Sequence, residues 1–422
     1  HSIAAALSGL PIAKLRHGRL RLVDLHDLGE RIDQGYIVIF EGPRSFTGED
    51  VAELQVHGSV AITRRIIAAM CRLGARPAER GEFSRRAFLA GKLDLAQAEG
   101  LLDLISASSE AARATAMQHL DGRVGDAIKS VRAPIIAAMA DIEARLDFST
   151  AEDVGSVPAY LRDDLRATAA RLRGIAATAE AGKVRMRGAR VAMYGAPNAG
   201  KSTLFNTLVG ADRALVHHAP GTTRDVIEAQ GELAGIAVTW IDTAGVRQAD
   251  QTVEAAGIER AQAAAASADV VVWLTDGSAP KVDLTLPPGP AHREVLRVLS
   301  KADRPLHDDF KTDQQTANWL RVSVLDGARI KEIMQRVGSL VEQFAQPSVA
   351  SDLVLTRDRQ ATAMLRAATA LDRAVQMLDR DNQLELAAAD LHDASAALAE
   401  VTGQIAPDDV LDAVFSQFCI GK

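Results

Sequence analysis

A glycine-rich segment in the middle of the sequence carries its clearest chemistry. The run Gly195-Ala-Pro-Asn-Ala-Gly-Lys-Ser202 follows a short apolar stretch and leads into an apolar helix-forming segment. The order strand, loop, helix predicts a phosphate-binding loop, in which glycines and a helix N-terminus direct backbone N–H groups at one anion. Lys201 is expected to reach the β- and γ-phosphates, and the Ser202 hydroxyl is expected to bind Mg²⁺. The alternative is a glycine-rich turn that holds no ligand. The predicted contacts of this loop are Asn198, Ala199, Gly200, Lys201, Ser202 and Thr203.

Two further motifs follow in the order that a nucleotide hydrolase requires. Gly221-Thr222-Thr223-Arg224-Asp225 comes first, and Thr223 stands where a switch threonine completes the metal shell. A predicted strand then ends in Asp242-Thr243-Ala244-Gly245. An Asp at the carboxyl end of such a strand serves the Mg²⁺ ion, and the N–H of Gly245 is free to approach the γ-phosphate. Together, the motifs favour a nucleotide site over an empty turn.

The segment Ser300-Lys301-Ala302-Asp303 resembles the N-K-x-D motif that reads guanine. The Asp carboxylate accepts hydrogen bonds from the N1–H and N2–H groups of guanine, and adenine does not offer these donors. The residues therefore favour GTP over ATP. Ser300 replaces the usual Asn, so one amide contact to the base is either lost or replaced by a hydroxyl. Ser323-Val324-Leu325 is a weaker match to the loop that supports the base.

Water activation has no standard residue in this sequence. Val246 follows Asp242-Thr243-Ala244-Gly245, at the position where Ras-like enzymes carry a water-orienting Gln. This predicts a hydrolase that is slow, depends on a partner or uses another residue. Glu254 is a candidate, although the residues alone favour a solvated helix carboxylate.

Composition sets outer bounds on the function. The chain has 422 residues, a net charge of −7 and no basic tail, so a nucleic-acid partner must bind a local patch or another subunit. No apolar run approaches the roughly 20 residues of a membrane span. Cys71 and Cys419 are the only cysteines, which excludes a disulfide framework and favours the cytoplasm. The first residue is His1 instead of Met, so we expect part of the natural N-terminus to be absent.

The hydrophobic pattern divides the chain into mixed and helical regions. The first 90 residues read as mixed α/β, with a strand over 35–40 and a helix over 60–73 that places Cys71 in the core. Residues 87–180 are helical, and their longest apolar stripe contains Pro134, which predicts a kink or a division of the helix. Residues 185–345 alternate strands and helices, which predicts a parallel sheet. The chain is helical again after residue 346, so an α/β domain inserted into a helical domain is expected.

The combined motifs closely resemble the MnmE (TrmE) family of tRNA-modification GTPases. The resemblance covers nearly the whole chain and includes 45–54, Gly81-Glu82-Phe83-Ser84, residues 92–99 and the final Cys419-Ile420-Gly421-Lys422. It implies an α/β folate-binding N-terminal domain at 1–88 with its first strand missing, a discontinuous helical domain at 89–184 and 346–422, and an inserted P-loop GTPase (Ras-like) domain at 185–345. The family's first strand, glycine-rich turn and folate-binding Arg have no counterpart before His1. We therefore expect the folate site and the dimer contact to be incomplete.

The resemblance also assigns residues to cofactors. It implies that Asn198 coordinates K⁺ together with backbone oxygens around His217, Ala219 and Thr222, and that Glu254 and Cys419 are catalytic. Folate, as 5-formyl- or methylene-tetrahydrofolate, would contact Glu53, Lys92 and Lys422. The implied nucleotide contacts beyond the phosphate loop are His217, His218, Ala219, Pro220, Gly221, Thr222, Thr223, Asp242, Thr243, Ala244, Gly245, Ser300, Lys301, Ala302, Asp303, Ser323, Val324 and Leu325.

The family function implied is a cytoplasmic, K⁺-dependent GTPase. Family members form a homodimer, which assembles with an MnmG-type flavoprotein into a heterotetramer. This complex adds a 5-carboxymethylaminomethyl-type group to the wobble uridine (U34) of certain tRNAs. One rival hypothesis is a regulatory GTPase switch without modification chemistry, which folate binding would exclude. Another is an ATP-driven assembly factor, which comparison of GTP with ATP binding would separate.

Overall fold

The computed structural model describes residues 1–147, 157–211, 227–243, 259, 262–290, 293–311, 316, 318–347, 349, 351–380 and 383–421. The chain forms two compact units. The first comprises His1–Leu102, His119–Arg132 and Ser395–Lys422, and the second comprises Asp103–Gln118 and Ala133–Ala394. Among the described residues, no helix is both long enough and apolar enough to cross a membrane.

The N-terminal part of the first unit is a small sheet with helices packed on one face. Helix α1 (Ser2–Ser8) precedes strands β1 (Arg21–Asp27), β2 (Glu30–Phe40) and β3 (Val51–Gln55), which pair antiparallel in the order β1-β2-β3. Alternating apolar residues, such as Leu25 and Ile37, turn one face of this sheet into a core. Helix α2 (Val60–Arg72) packs Ile66 into the same core.

The expectation that Cys71 is a core residue is wrong. Cys71 is exposed, and so is Ile67, which lies one turn earlier on the same side of α2. The buried face of α2 instead passes through Ile66 and Ala69. The apolar residues of this helix therefore lie on more than one face, and their spacing alone does not show which face meets the sheet.

Helices make up most of the remaining chain outside the larger sheet. Helix α6 (Arg123–Asp147) carries the predicted apolar stripe, with Val124, Ile128, Ile135 and Ile142 buried. Pro134 lies inside it and does not divide it. The helices in chain order are α3 (Glu82–Leu89), α4 (Leu95–Ser106), α5 (Glu110–Leu120), α6 (Arg123–Asp147), α7 (Ala159–Ala176) and α8 (Ala179–Arg187), and later α12 (Asp358–Arg380), α13 (Leu384–Thr402) and α14 (Asp408–Phe415).

A six-stranded sheet forms the α/β part of the second unit. Its strands are β4 (Ala189–Gly195), β5 (Ile227–Leu233), β6 (Ile236–Asp242), β7 (Val270–Asp276), β8 (Glu294–Ser300) and β9 (Leu320–Arg321). Their order is β5-β6-β4-β7-β8-β9, and all neighbours are parallel except β5 and β6. The sheet is thus mixed, with an antiparallel edge strand that the sequence pattern did not predict. Helices α9 (Lys201–Ala211), α10 (Asp308–Lys311) and α11 (Gly327–Ala345) belong to this part.

The chain enters and leaves this α/β part through neighbouring segments. Helix α8 leads into β4, and the segment around Leu355 leads away from α11. The Leu355 N–H donates to the Thr178 hydroxyl oxygen at 3.0 Å. A Cβ atom on Gly182 would lie 1.8 Å from the Leu355 carbonyl oxygen, so only glycine permits this approach. Adjacent entry and exit are what the insertion of one domain into another requires.

Candidate nucleotide-binding site

The phosphate-binding loop connects the central strand β4 to helix α9. Gly195, the last residue of β4, has φ of 152°, and a Cβ atom there would lie 2.1 Å from the Leu274 carbonyl oxygen of β7. Gly200 has φ of 91° and precedes the first residue of α9. Both glycines therefore occupy conformations that an L side chain rarely adopts. The loop turns back over the carboxyl end of the sheet, as a ligand site at this edge requires.

Lys201 lies where an anion would enter the loop. Its side chain is largely buried, and its ammonium donates to the carbonyl oxygens of Gly195 and Ala196, each at 2.9 Å. Burial lowers the pKa of Lys201, while the charge of Asp242 acts in the opposite direction. A buried cation whose hydrogen bonds go to neutral carbonyl oxygens gains from an anionic ligand. The geometry therefore fits a bound phosphate.

The carboxyl end of β6 supplies the next polar groups. Asp242 is only 1% exposed, and the Thr243 hydroxyl donates to the Met193 carbonyl oxygen at 2.5 Å. Ser202, the second residue of α9, is half-buried. Among the residues that the structure describes, no group of three or more His, Cys, Asp or Glu side chains could hold a metal ion by itself. A Mg²⁺ ion at Ser202 and Asp242 would depend on the phosphates of the nucleotide for further ligands.

A cavity of about 250 Å³ adjoins the phosphate loop, between Gly200 and Thr203 on one side and the ends of β8 and β9 on the other. Its apolar walls include Leu204, Val298 and Val324, and its polar lining includes Ser300, Lys301 and Asp303. The Ser323 hydroxyl donates to Asp303 and holds the pKa of this carboxyl below its ordinary value. Asp303 is therefore ionised and able to accept two N–H donors. An apolar slot with a carboxylate at its edge fits a guanine base.

Lys301, which also lines the cavity, is held by Asp276, a residue that the sequence did not indicate. Lys301 has φ of 57°, and its ammonium lies 2.6 Å from a carboxylate oxygen of Asp276. Although burial raises the pKa of Asp276, the hydrogen bonds from Lys301 and Ser278 together keep it below its ordinary value. Asp276 ends strand β7, just as Asp242 ends β6. The rule that carboxyl ends of parallel strands meet at one edge would have identified it.

Asn198, the predicted K⁺ ligand, lies on the same loop. It has φ of 61°, a left-handed conformation that Asn adopts more readily than most residues, and its side chain is exposed. An exposed amide oxygen beside the phosphate loop fits a monovalent cation ligand. The remaining predicted ligands and contacts on the connecting segments lie outside the described residues: His217, His218, Ala219, Pro220, Gly221, Thr222, Thr223, Ala244, Gly245 and Glu254.

The predicted folate residues belong to the first unit, around helix α3. Glu53 is exposed on β3, and Lys92 is exposed just beyond the C-terminus of α3, with its side-chain stem against Gly48. Cys419 is exposed beside the other end of α3, where the Gly81 N–H donates to its carbonyl oxygen at 3.5 Å. Lys92 and Cys419 thus lie beside opposite ends of α3, an eight-residue helix that is about 12 Å long. Lys422 lies outside the described residues.

The C-terminal helix α14 and the residues after it dock through their aromatic side chains. Phe415 and Phe418 are buried with their ring centroids 6.0 Å apart, and Phe88 of α3 lies 6.1 Å from Phe415. Beyond them, Ile420 forms an antiparallel bridge with Arg80. Gly81, which the sequence places in a family motif without a structural role, has φ of 64° and directly faces the Phe415 backbone.

Comparison with known proteins gives matches to one family over most of the chain. The model of the MnmE helical domain matches residues 95–419, and the model of the GTP-binding protein TrmE N-terminus matches residues 3–92. Proteins named tRNA modification GTPase MnmE are similar over most of their length. The Thermus thermophilus relative is 39% identical over 97% of this chain and 90% of its own, and the Akkermansia muciniphila relative is 38% identical over the same shares. The Acidiphilium cryptum relative is 42% identical over 93% of this chain and 86% of its own. The crystal structure of Aquifex aeolicus Era bound to GDP.AlF4- is 21% identical and covers 43% of this chain and 66% of that chain, with a TM-score of 0.27.

Proposed function

This chain belongs to the MnmE (TrmE) family of tRNA modification GTPases and is a GTP hydrolase, and from that premise we propose its full function. The protein is a K⁺-dependent GTPase that acts in the cytoplasm with an MnmG-type flavoprotein. Together they carry out the folate-dependent 5-carboxymethylaminomethyl modification of the wobble uridine (U34) of certain tRNAs. The observation that carries the proposal is the continuous nucleotide site, which joins a phosphate loop to a guanine-sized cavity.

GTP binding rests on two ends of that site. At the phosphate end, Lys201 exchanges its two carbonyl partners for phosphate oxygens, and the N-terminus of α9 adds its partial positive charge. At the base end, the ionised Asp303 accepts the N1–H and N2–H groups of guanine. Adenine presents an acceptor at N1, which the carboxylate repels. GTP is therefore favoured over ATP.

Two cations complete the charge balance of hydrolysis. Mg²⁺ at Ser202, Asp242 and Thr223 would neutralise the β- and γ-phosphates, and K⁺ at Asn198 would add positive charge beside the bridging oxygen. The predicted backbone ligands of K⁺ lie at His217, Ala219 and Thr222. Glu254 is assigned the role of orienting the attacking water, because Val246 has no polar group for that purpose.

The folate assignment is supported by three exposed side chains of the first unit. Glu53, Lys92 and Cys419 are all exposed, and the last two lie beside opposite ends of α3. A tetrahydrofolate is an extended molecule with a ring at one end and carboxylates at the other, so separated polar contacts suit it. Lys92 and Lys422 would pair with its carboxylates, and Glu53 would accept N–H donors of the ring. We assign Cys419 to the one-carbon end.

The proposed partners follow from the family and from the charge of the chain. Its relatives are named for tRNA modification, and its net charge of −7 does not favour RNA binding over the whole surface. Binding through a local patch and through the flavoprotein subunit of a heterotetramer resolves this conflict. We assign the N-terminal domain to the homodimer contact.

The test is the wobble uridine content of tRNA from cells that lack this protein. We expect the modified nucleoside to disappear and to return when the wild-type gene is supplied. Lys201→Ala should fail to restore it because nucleotide binding is lost, and Glu53→Gln should fail while GTP hydrolysis persists. Normal modification in the deletion strain would refute the proposed function. Restoration by Glu53→Gln would refute the folate contact alone.

A further inference from the structure

Ser300 makes a contact that its place in the base-reading motif does not predict. Its hydroxyl oxygen lies 2.7 Å from the carbonyl oxygen of Ala199 in the phosphate loop and 3.2 Å from that of Thr275 in β7. Both neighbours are acceptors, so the hydroxyl is the donor in either contact. A serine has a single hydroxyl proton, and the shorter distance assigns this proton to Ala199.

We propose that Ser300 is a positioning residue of the nucleotide site, which fixes the phosphate loop and does not read the base. This inference rests on the proposed function and deepens it, because it assigns the Ser300 hydroxyl to the phosphate loop instead of to the base. Ser300 ends strand β8, where its backbone faces Asp276 of β7. Its hydroxyl thus connects the loop at Ala199 to a rigid part of the parallel sheet.

The chemistry of guanine explains why the base cannot share this proton. The edge of guanine that carries N7 and O6 presents only acceptors. A group that reads this edge must donate, and the proton of Ser300 is already used on Ala199. The hydroxyl has lone pairs to spare, but guanine offers no donor at that edge. The sequence left open whether the amide contact to the base is lost or is replaced by the Ser300 hydroxyl. The structure favours its loss.

The experiment measures the dissociation constants of GDP and 7-deaza-GDP, in which a C–H group replaces N7. Both are measured on the full chain by competition with a fluorescent GDP, for the wild type and for Ser300→Ala. Loss of one intramolecular hydrogen bond should weaken both nucleotides by about 3- to 10-fold. The ratio of the two constants should change by less than about 2-fold between the proteins, because residue 300 has no contact with N7. Ser300→Thr, which keeps a hydroxyl, should restore most of the affinity.

A matched control separates local positioning from a general loss of stability. The Ser267 hydroxyl also donates to a backbone carbonyl, that of Ala264 at 3.1 Å, and it does not line the cavity. Ser267→Ala should leave the GDP affinity within about 2-fold of the wild type.

Two results would overturn the inference. One is a GDP affinity that is unchanged in Ser300→Ala. The other is a preference of the wild type for GDP over 7-deaza-GDP, about 5-fold or more, that Ser300→Ala abolishes. If Ser300→Ala does not fold, Ser300→Thr is compared with the wild type in the same way. Loss of GDP affinity despite the retained hydroxyl would then overturn the positioning role of the hydrogen bond between Ser300 and Ala199. Absence of GDP binding by the folded wild type would instead refute the nucleotide site itself.

Discussion

Replacing Gly81 by Ala should release the C-terminal tail from its docking site. Gly81 precedes α3 with φ of 64° and ψ of 10°. A Cβ atom at this position would lie 2.4 Å from the Phe415 carbonyl oxygen and 3.1 Å from the Phe415 Cβ atom. The tail that carries Cys419 follows directly after Phe415 and Phe418, so the added methyl group pushes against the base of the tail.

Gly9 offers a closely matched control. It has φ of 64° and ψ of 8°, almost the same backbone conformation, and a Cβ atom there would have no neighbour within 4 Å. Ala in this left-handed conformation costs about 1–2 kcal/mol at either position. Only Gly81→Ala adds a steric clash. Moving the methyl group to ordinary contact requires a shift of roughly 1 Å, and overpacking of this kind costs about 1–3 kcal/mol.

The assay is amide hydrogen exchange of the peptide that covers residues 416–421. A local cost of about 1–3 kcal/mol raises the fraction of undocked tail, and therefore the exchange rate, by about 5- to 150-fold. Gly9→Ala should leave exchange of this peptide unchanged, although both variants lose global stability. Equal exchange in the two variants would refute the docking argument, since backbone strain alone would then account for the effect of Gly81→Ala.

Four further outcomes test other parts of the proposal. GTP turnover should be faster in KCl than in NaCl at equal ionic strength, because Na⁺ is too small for the ligand set of Asn198; equal rates would exclude a K⁺ site. Glu254→Ala should bind GTP normally and lose roughly 10²-fold in turnover. Weaker binding with normal turnover would instead indicate that Glu254 is a solvated helix carboxylate without a catalytic role. Deleting Cys419–Lys422 should abolish tRNA modification and weaken folate binding while K⁺-dependent hydrolysis survives; modification by the truncated protein in a complemented strain would contradict this. Hydrogen bonds from Arg76 and from the Glu79 backbone hold the pKa of Glu82 at about 2, below its ordinary value of 4.5. The wild type should therefore be more stable than Glu82→Gln by roughly 1 kcal/mol above pH 4.5, and this difference in the free energy of unfolding should shrink as the pH falls towards 2. Denaturant titrations at several pH values measure it, and a difference that does not depend on pH would contradict the argument.

The backbone geometry of the candidate nucleotide site was predictable because its signals are local. Gly195 and Gly200 are required by backbone conformations that few other residues adopt, and Lys201 follows at a fixed place on the helix. Asp242 ends β6 and Asp303 follows the end of β8 by three residues, and parallel strands bring their carboxyl ends to one edge of a sheet. In such a site, the spacing in the sequence already determines the spacing in space.

Features that depend on contacts between distant segments were not predictable in the same way. The apolar pattern of α2 did not show that Cys71 faces away from the sheet, because that depends on which face meets β2. The motif at Ser300 suggested only an altered base contact, whereas the structure directs its hydroxyl to Ala199, 101 residues earlier in the chain. The importance of Gly81 depends on Phe415, which no local pattern connects to it.

Backbone strain at the nucleotide site is consistent with the positioning role of Ser300. Among the described residues, only four other than glycine have positive φ, and two of them are Asn198 and Lys301. Each lies next to one partner of the hydrogen bond between Ala199 and Ser300. Such conformations cost about 1–3 kcal/mol each and persist only where surrounding contacts enforce them.

The Lys301 ammonium is held by Asp276, and the loop after Gly195 is held by Lys201. The hydrogen bond of Ser300 joins these two strained segments. Its loss should therefore relax both the phosphate end and the base end of the site, which is why Ser300→Ala is expected to weaken GDP and 7-deaza-GDP equally.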